Sequence, residues 1–398
     1  MATELRDPQA LEEAVRHLAG IERPSASPGE REAAEWIAAR LRELGCTARV
    51  EEERAHGTYW WPLGLGAAAG AAGGLLARRG GPLARLAGGA LAAAGAAAIA
   101  DDITGGRQWF RRRALPLHPT HNVVASAGDP SARCTLVIVA HHDAARTSLV
   151  FDPRPLRALA DRFPDLYGRI NTTPALMWPV FGGPALVALA ALLGRRRALA
   201  VGTALSAGTV ASMAEIGAHG TVPGANDNLT GVATLLGVAG ALADDPVEGL
   251  RVLLVSTGSE ESLMEGMQAF GRRHFASLPR ESTHVLCVDT VGSPHLLMLE
   301  GEGMLRMNEY PPAFKALVRA CADEANLELW SGLRFRNATD GLIALRAGYP
   351  TVMLGSCDRY KLPSNYHWPT DTADNVDFST VRDAVVLCTA VARRLAGS

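Results

Sequence analysis

Two adjacent carboxylates, Glu260 and Glu261, follow an apolar run at 252–255 and a Thr-Gly-Ser turn. Like charges side by side at a strand end repel unless a cation or a proton compensates them. In such a pair, one carboxylate can act on a water molecule while its neighbour holds a metal. Candidate partners are spread along the chain. They are His141 and Asp143 in His-His-Asp, Asp227 in Gly-Ala-Asn-Asp-Asn, Asp289 after the run 285–288, and His367 in Tyr-His-Trp-Pro-Thr-Asp. Imidazole and carboxylate are ligands for zinc and similar divalent ions. Strand alternation puts His141 and Asp143 on one side and His142 on the other. His141 is therefore the ligand candidate, and Asp143 the group that orients its ring.

Taken alone, each motif has a plainer reading. The Asp227 loop reads as an Asx turn and helix N-cap. His141 and His367 read as histidines at a strand end and in a loop, and the two glutamates as solvated surface groups. Asp289 ends an almost wholly apolar run, so its carboxylate is either exposed at the sheet edge or bound to a cation. Asp340, in Asn-Ala-Thr-Asp-Gly, shapes the site without a ligand role.

The elements that must position these residues are legible. Apolar strand patterns at 47–50, 122–126, 135–140, 251–256, 283–288, 296–299 and 351–354 alternate with helical patterns at 11–18, 30–44, 230–243, 264–275, 312–326 and 381–395. That order predicts an α/β fold with a mostly parallel central sheet flanked by helices. Such a sheet gathers its chemistry at the carboxyl ends of its strands. One domain spanning 1–398 is expected, interrupted twice.

The interruptions are apolar helical hairpins at 60–100 and 174–216. Each has two long stretches without acidic residues, joined by an arginine-bearing tip, and each stretch approaches the length that crosses a bilayer. Gly66, Gly70 and Gly74 are spaced for close helix contact. Tyr59, Trp60 and Trp61 at one end, with Trp109 and Phe110 near the other leg, fit an aromatic belt at a single interface. Buried alanine-rich helices of a soluble protein are the alternative.

The bulk properties exclude some classes. Net charge is −2 and the pI about 6.6, so no nucleic-acid partner is expected. The six cysteines are scattered without CxxC spacing, which argues against a disulfide framework. Residues 1–19 are charged and amphipathic, without the apolar core of a signal peptide. Arginines at 195–197 favour hairpin tips in the cytoplasm. Arginines at 111–113, free cysteines and the missing leader favour a cytoplasm-facing catalytic part instead, and that orientation is the expectation here. The matches to Asn-x-Ser/Thr at Asn171, Asn228 and Asn337 read as chance.

Together, His-x-Asp, the Asp-Asn loop, Glu-Glu, the strand-end Asp, and Tyr-His followed by Asp-Thr-x-Asp resemble the M28 family of metallopeptidases, in the family's order. The resemblance runs from about Leu11 to the C-terminus, broken by both hairpins. It implies two divalent metal ions, zinc first among candidates. One would be held by His141, Asp227 and Asp289, and the other by Asp227, Glu261 and His367. It makes Glu260 the general base, Asp143 the support for His141, and peptides the substrate, with aminopeptidase activity expected. Glutaminyl-cyclase-like, carboxypeptidase and non-catalytic scaffold or receptor relatives are the alternatives. A channel or transporter built from the hairpins is disfavoured, because their apolar stretches carry almost no charge. The chain departs from the pattern in the long gap between Asp143 and Asp227, which could cover or reshape the cleft. It departs again at Met267, where Ser is common.

Overall fold

Four strands that lead to candidate residues lie side by side. In a computed structural model, which describes residues 8–397, the main sheet has seven strands. They are β1 (Thr47–Ala55), β2 (His118–Gly128), β3 (Cys134–His141), β4 (Leu250–Thr257), β5 (Thr283–Val288), β6 (His295–Met298) and, after a small sheet of β7 (Gly301–Glu302), β8 (Asn308–Glu309) and β9 (Arg334–Phe335), β10 (Thr351–Cys357). The order across the sheet is β1-β2-β4-β3-β5-β10-β6. The central four, β4, β3, β5 and β10, are parallel, and the pairs at the two edges are antiparallel. The expected α/β fold with a parallel centre and flanking helices is present. The part of the charged N-terminal stretch at 1–7 lies outside the described residues.

The central strands read as near-continuous apolar runs because both of their faces are covered. One face packs under helices Pro8–Ala19, Pro28–Glu43, Thr230–Asp244 and Phe378–Ala396. The other packs under Glu265–His274 and Asp340–Arg346. Met267, where the family pattern has Ser, is fully buried in this second layer. Thr230–Asp244 is apolar all round, as befits a helix buried on nearly every side.

The hairpins are helices Trp60–Ala77 with Pro82–Ile103, and Met177–Leu193 with Arg196–Ala218. The first runs past the expected limit at residue 100, because its two terminal acids are paired. Asp101 accepts the backbone N–H groups of Arg107 and Trp109, and Asp102 forms an ion pair with Arg111. The four helices pack as one bundle through small residues. Gly66 faces Gly95 and Ile99, while Gly70 and Gly74 face Pro184, Ser206 and Thr203 of the second hairpin. Two helices, Pro82–Ile103 and Arg196–Ala218, are long and apolar enough to cross a membrane. The aromatic belt needs correction at two residues, Tyr59 and Trp60. Trp61 and Trp109 are exposed at the base of the bundle, joined by Trp178, but Tyr59 is buried and lines a cavity beside the candidate residues. Trp60 is tucked against Gly217 under the Arg146 guanidinium.

The base of the bundle shares a core with the rest of the molecule. Leu63, Ile99 and Ile216 pack in one cluster with Leu263 and Met264, just after the two glutamates. At the helix crossing, a Cβ on Gly95 would lie 2.3 Å from the Gly66 carbonyl oxygen. Gly95→Ala is therefore expected to lower stability by about 1–3 kcal/mol. Gly182→Ala, with open space around it, should be neutral or stabilising, as alanine is in a helix. Thermal unfolding of both variants in mild detergent measures the contrast.

Candidate metal centre

The parallel centre of the sheet delivers the candidates to one edge. His141 is the last residue of β3, Asp289 follows β5, and Glu260 and Glu261 stand in the turn after β4. Asp227 lies in the turn that opens helix Thr230–Asp244, and His367 in the loop after β10. The structure brings all of them together. His141 Nε2 is 3.2 Å from Asp227 Oδ1 and 3.9 Å from Asp289 Oδ1. His367 Nε2 is 3.2 Å from Asp227 Oδ2 and 3.3 Å from Glu261 Oε1. Two triads result, His141/Asp227/Asp289 and Asp227/Glu261/His367, each with its donor atoms within 4.8 Å of one another. Asp227 offers one oxygen to each.

His142 turns away and meets Ser256 Oγ through Nδ1 at 2.9 Å. Burial pushes its pKa down to about 3, so its ring is neutral.

The loops around the donors are held by residues the motifs do not include. Asp143 accepts from Ser25 Oγ at 2.6 Å and from the backbone N–H groups of Glu260 and Glu261 at 3.0 and 3.1 Å. It thus fixes the glutamate turn as well as lying 3.4 Å from His141 Nδ1. The fully buried Glu30 accepts from Ser259 N and Oγ, Thr120 Oγ1 and His121 N. Asp371 accepts from the N–H groups of Asn226 and Asp227. The fully buried Arg23 donates to the carbonyls of His142, Pro223 and Gly224, binding the His141 strand end to the Asp227 loop. Burial lowers its pKa to about 10 against the opposing pull of Asp371, Asp143 and Asp227. Arg23 and Ser25 have no signature in sequence. Ser27 and Glu30 have the spacing of a capping box, but the Glu30 carboxylate reaches the site loops as well as the helix start.

Backbone strain gathers in the same place. Ser259, Leu263, Met264, Thr290, Asn365 and His367 all have positive φ, a conformation that costs a non-glycine residue energy and clusters at functional sites. The Asp227–Asn228 peptide bond is cis.

The electrostatics are those of a crowded, buried set of acids. Burial pushes Glu260 and Asp289 well above the usual carboxylate range, and raises Glu261 less. Asp227 is held far below that range: burial opposes its charge, but the two histidines outweigh it. Burial also opposes charge on the histidines, yet Asp143 and Asp227 carry His141 well upward, and Glu261 and Asp227 carry His367 to about 10. Asp227 Oδ2 is buried and makes no hydrogen bond, despite its approach to His367. An uncommitted acid oxygen amid imidazoles and acids at these distances fits a divalent cation. Such a cation ionises the acids and turns the imidazoles into neutral ligands.

A buried ion-pair network ties this turn to the bundle. Arg111 is fully buried and bridges Asp102 at 2.8 Å and Glu265 at 3.3 Å, and it donates to the carbonyl of Ser262 at 2.8 Å. Glu265 in turn accepts from the N–H groups of His56 and Gly57, just before the first hairpin.

Residues 202–392 match the model of Peptidase family M28. Solved structures share the fold at low identity. An aminopeptidase from Aneurinibacillus sp. strain AM-1 aligns with a TM-score of 0.54 at 14% identity, covering 98% of this chain and 94% of that one. A leucine aminopeptidase precursor from Bacteroides thetaiotaomicron gives 0.55 at 15%, covering 97% of each chain. A glutaminyl cyclase of the same organism, bound to N-acetylhistamine, gives 0.54 at 15%, again covering 97% of each. No curated protein matches in sequence. Fold and family match support a metallopeptidase-type enzyme. The match to peptidase family M28 covers nearly half the chain's length, from within the second hairpin to the last helix.

Zinc added to chelator-stripped protein is expected to raise the unfolding temperature, by the equivalent of about 2.7 kcal/mol at a hundredfold excess over Kd. Asp227→Ala should abolish that shift, and no shift in the wild type would contradict the fit. Separately, Arg111→Leu leaves Asp102 and Glu265 buried without their cation. It should cost about 3–5 kcal/mol, measured by chemical unfolding.

Proposed function

We propose that the protein is a membrane-anchored aminopeptidase that uses two zinc ions to hydrolyse peptide bonds and release N-terminal residues. The observation that carries the reading is the pair of donor triads sharing Asp227. His141, Asp227 and Asp289 would hold one ion, and Asp227, Glu261 and His367 the other. Bound there, the ions would supply Lewis-acid polarisation of the scissile carbonyl and a water of lowered pKa. Imidazole with carboxylate oxygen suits zinc, and cobalt or manganese would bind the same set.

The remaining steps belong to the chain's own groups. Glu260 lies within the same reach of His141 and Glu261, and its buried carboxyl has a raised proton affinity. That suits a group which takes a proton from the attacking water and returns it to the leaving amine nitrogen. Asp143 holds its backbone still and orients His141. The full donor set weighs against a non-catalytic scaffold, and the second triad against a one-metal cyclisation.

The anchoring part rests on the bundle. Its two longest helices are apolar enough to cross a bilayer. Its arginines at 78, 79 and 195–197 cluster at the far tips, and its acids sit at the base. The exposed leucines between these ends would face lipid rather than water.

Glu260→Gln is expected to retain zinc and to lose about 10²–10⁴-fold in kcat. Metal analysis and hydrolysis of leucyl peptides on the same preparation check both halves. Near-wild-type turnover by a metal-replete variant would remove Glu260 from the mechanism.

A further inference from the structure

The long stretch between Asp143 and the second hairpin forms the mouth of the catalytic cavity, and its outer surface is greasy. The cavity holds about 510 Å³, within the range of pockets that enclose a whole small ligand. Glu260, Glu261 and His367 lie on its wall, and Leu149, Val150, Leu159 and Leu176 form its rim. These four rim residues are also exposed outside, at 42–74%. Phe163, Leu166 and Ile170, from the same stretch, are exposed without lining the cavity. Among the described residues, all but three of the exposed large apolar side chains lie on the bundle or between 149 and 176. The exceptions are Trp109, Leu117 and Val386. Isolated exposed leucines are ordinary, but such a concentration marks a surface that meets something apolar.

The polar contacts of this stretch point the other way. Arg157 reaches Asp358, the Tyr167 hydroxyl donates to the Tyr360 carbonyl, and Lys361 donates to the carbonyls of Gly168 and Ile170. The stretch is thus fastened inward to the loop that leads to His367. It continues directly into helix Met177–Leu193, whose first turn exposes Trp178. Arg162 and Arg169 are exposed among the apolar residues together with Asp161 and Asp165, so the polar side of the segment carries charge of both signs. An amphipathic segment with these features, joined to an apolar bundle, lies in a bilayer interface.

We infer that the catalytic cavity opens at the membrane surface, and that its substrates are amphiphilic peptides whose apolar chain enters from the bilayer past Leu149, Leu159 and Leu176. This rests on the peptidase and anchoring readings and adds the route and the substrate class. The substrate's head reaches the glutamates and histidines, while its tail stays in apolar surroundings throughout. Such a path spares the tail a passage through water.

The test uses the full-length zinc-loaded protein in phospholipid nanodiscs. Two leucyl-glycine peptides are compared, one with a C-terminal methyl amide and one with a dodecyl amide. The dodecyl peptide is expected to show a kcat/KM higher by about tenfold or more. The double variant Phe163→Ser, Leu166→Ser should hydrolyse the methyl amide as the wild type does and lose most of that preference. Equal kcat/KM for the two peptides, or a preference that survives the double variant, would overturn the inference. Failure to cleave either peptide would instead overturn the peptidase reading. A spin label on Phe163→Cys reads the mouth without catalysis. Greater accessibility to oxygen than to a water-soluble nickel chelate supports the membrane-side opening. The reverse order, or shielding from both by a second protein copy, contradicts it.

Discussion

Unneutralised negative charge, packed where water cannot reach it, is the constraint on which the rest of the structure depends. Asp227, Glu260 and Asp289 are buried, Glu261 nearly so, and Asp143 is wholly enclosed beneath them. Two histidines cannot balance that set. Without a cation, the cluster shares protons unevenly: some acids are driven up and Asp227 is driven down. The surrounding loops are built to keep these charges in place rather than let them spread. Arg23, Ser25 and Glu30, from one short N-terminal stretch, hold three of the site's loops. Two adjoining acids, Asp143 and Asp371, spend their oxygens on backbone N–H groups instead of on open space.

The bundle is not a passive appendage. Its base contributes Asp102 to the Arg111 network, and Arg111 grips the Ser262 carbonyl beside the two glutamates. The apolar cluster around Leu263 and Met264 is made jointly by the bundle and the loops of the candidate metal centre. Burial of several ionic groups at this junction costs desolvation. The Arg111, Asp102 and Glu265 contacts, with the hydrogen bonds around them, offset that cost.

Much of this was legible in the sequence, for definite reasons. Apolar runs buried on both faces, such as 252–255 and 285–288, announce central strands, and the residue after each run falls at the carboxyl edge. His141, Asp289 and the two glutamates were therefore placeable by pattern alone, while Asp227 and His367 needed the family's order of motifs. Strand edges were harder. β1 is mostly exposed or half-buried, and β2 has exposed or half-buried ends around a buried middle, so the patterns at 47–50 and 122–126 under-read strands that extend to nine and eleven residues. The helix at 82–103 was cut short because Asp101 and Asp102 look like terminators until their partners are seen. Arg23 and Glu30 were invisible because a buried charge reads as a surface charge when its partners lie a hundred or more residues away. Tyr59 and Trp60 read as membrane-belt aromatics beside Trp61, since three aromatics in a row do not show which of them turns outward; only Trp61 is exposed.

The central claim is that this edge of the sheet is a binding site for divalent cations. Anomalous X-ray scattering at the zinc edge, from crystals of the zinc-loaded protein, tests it most directly. The account predicts one peak among His141, Asp227 and Asp289, and a second among Asp227, Glu261 and His367. Crystals with zinc in the medium and no anomalous density at either triad would contradict it.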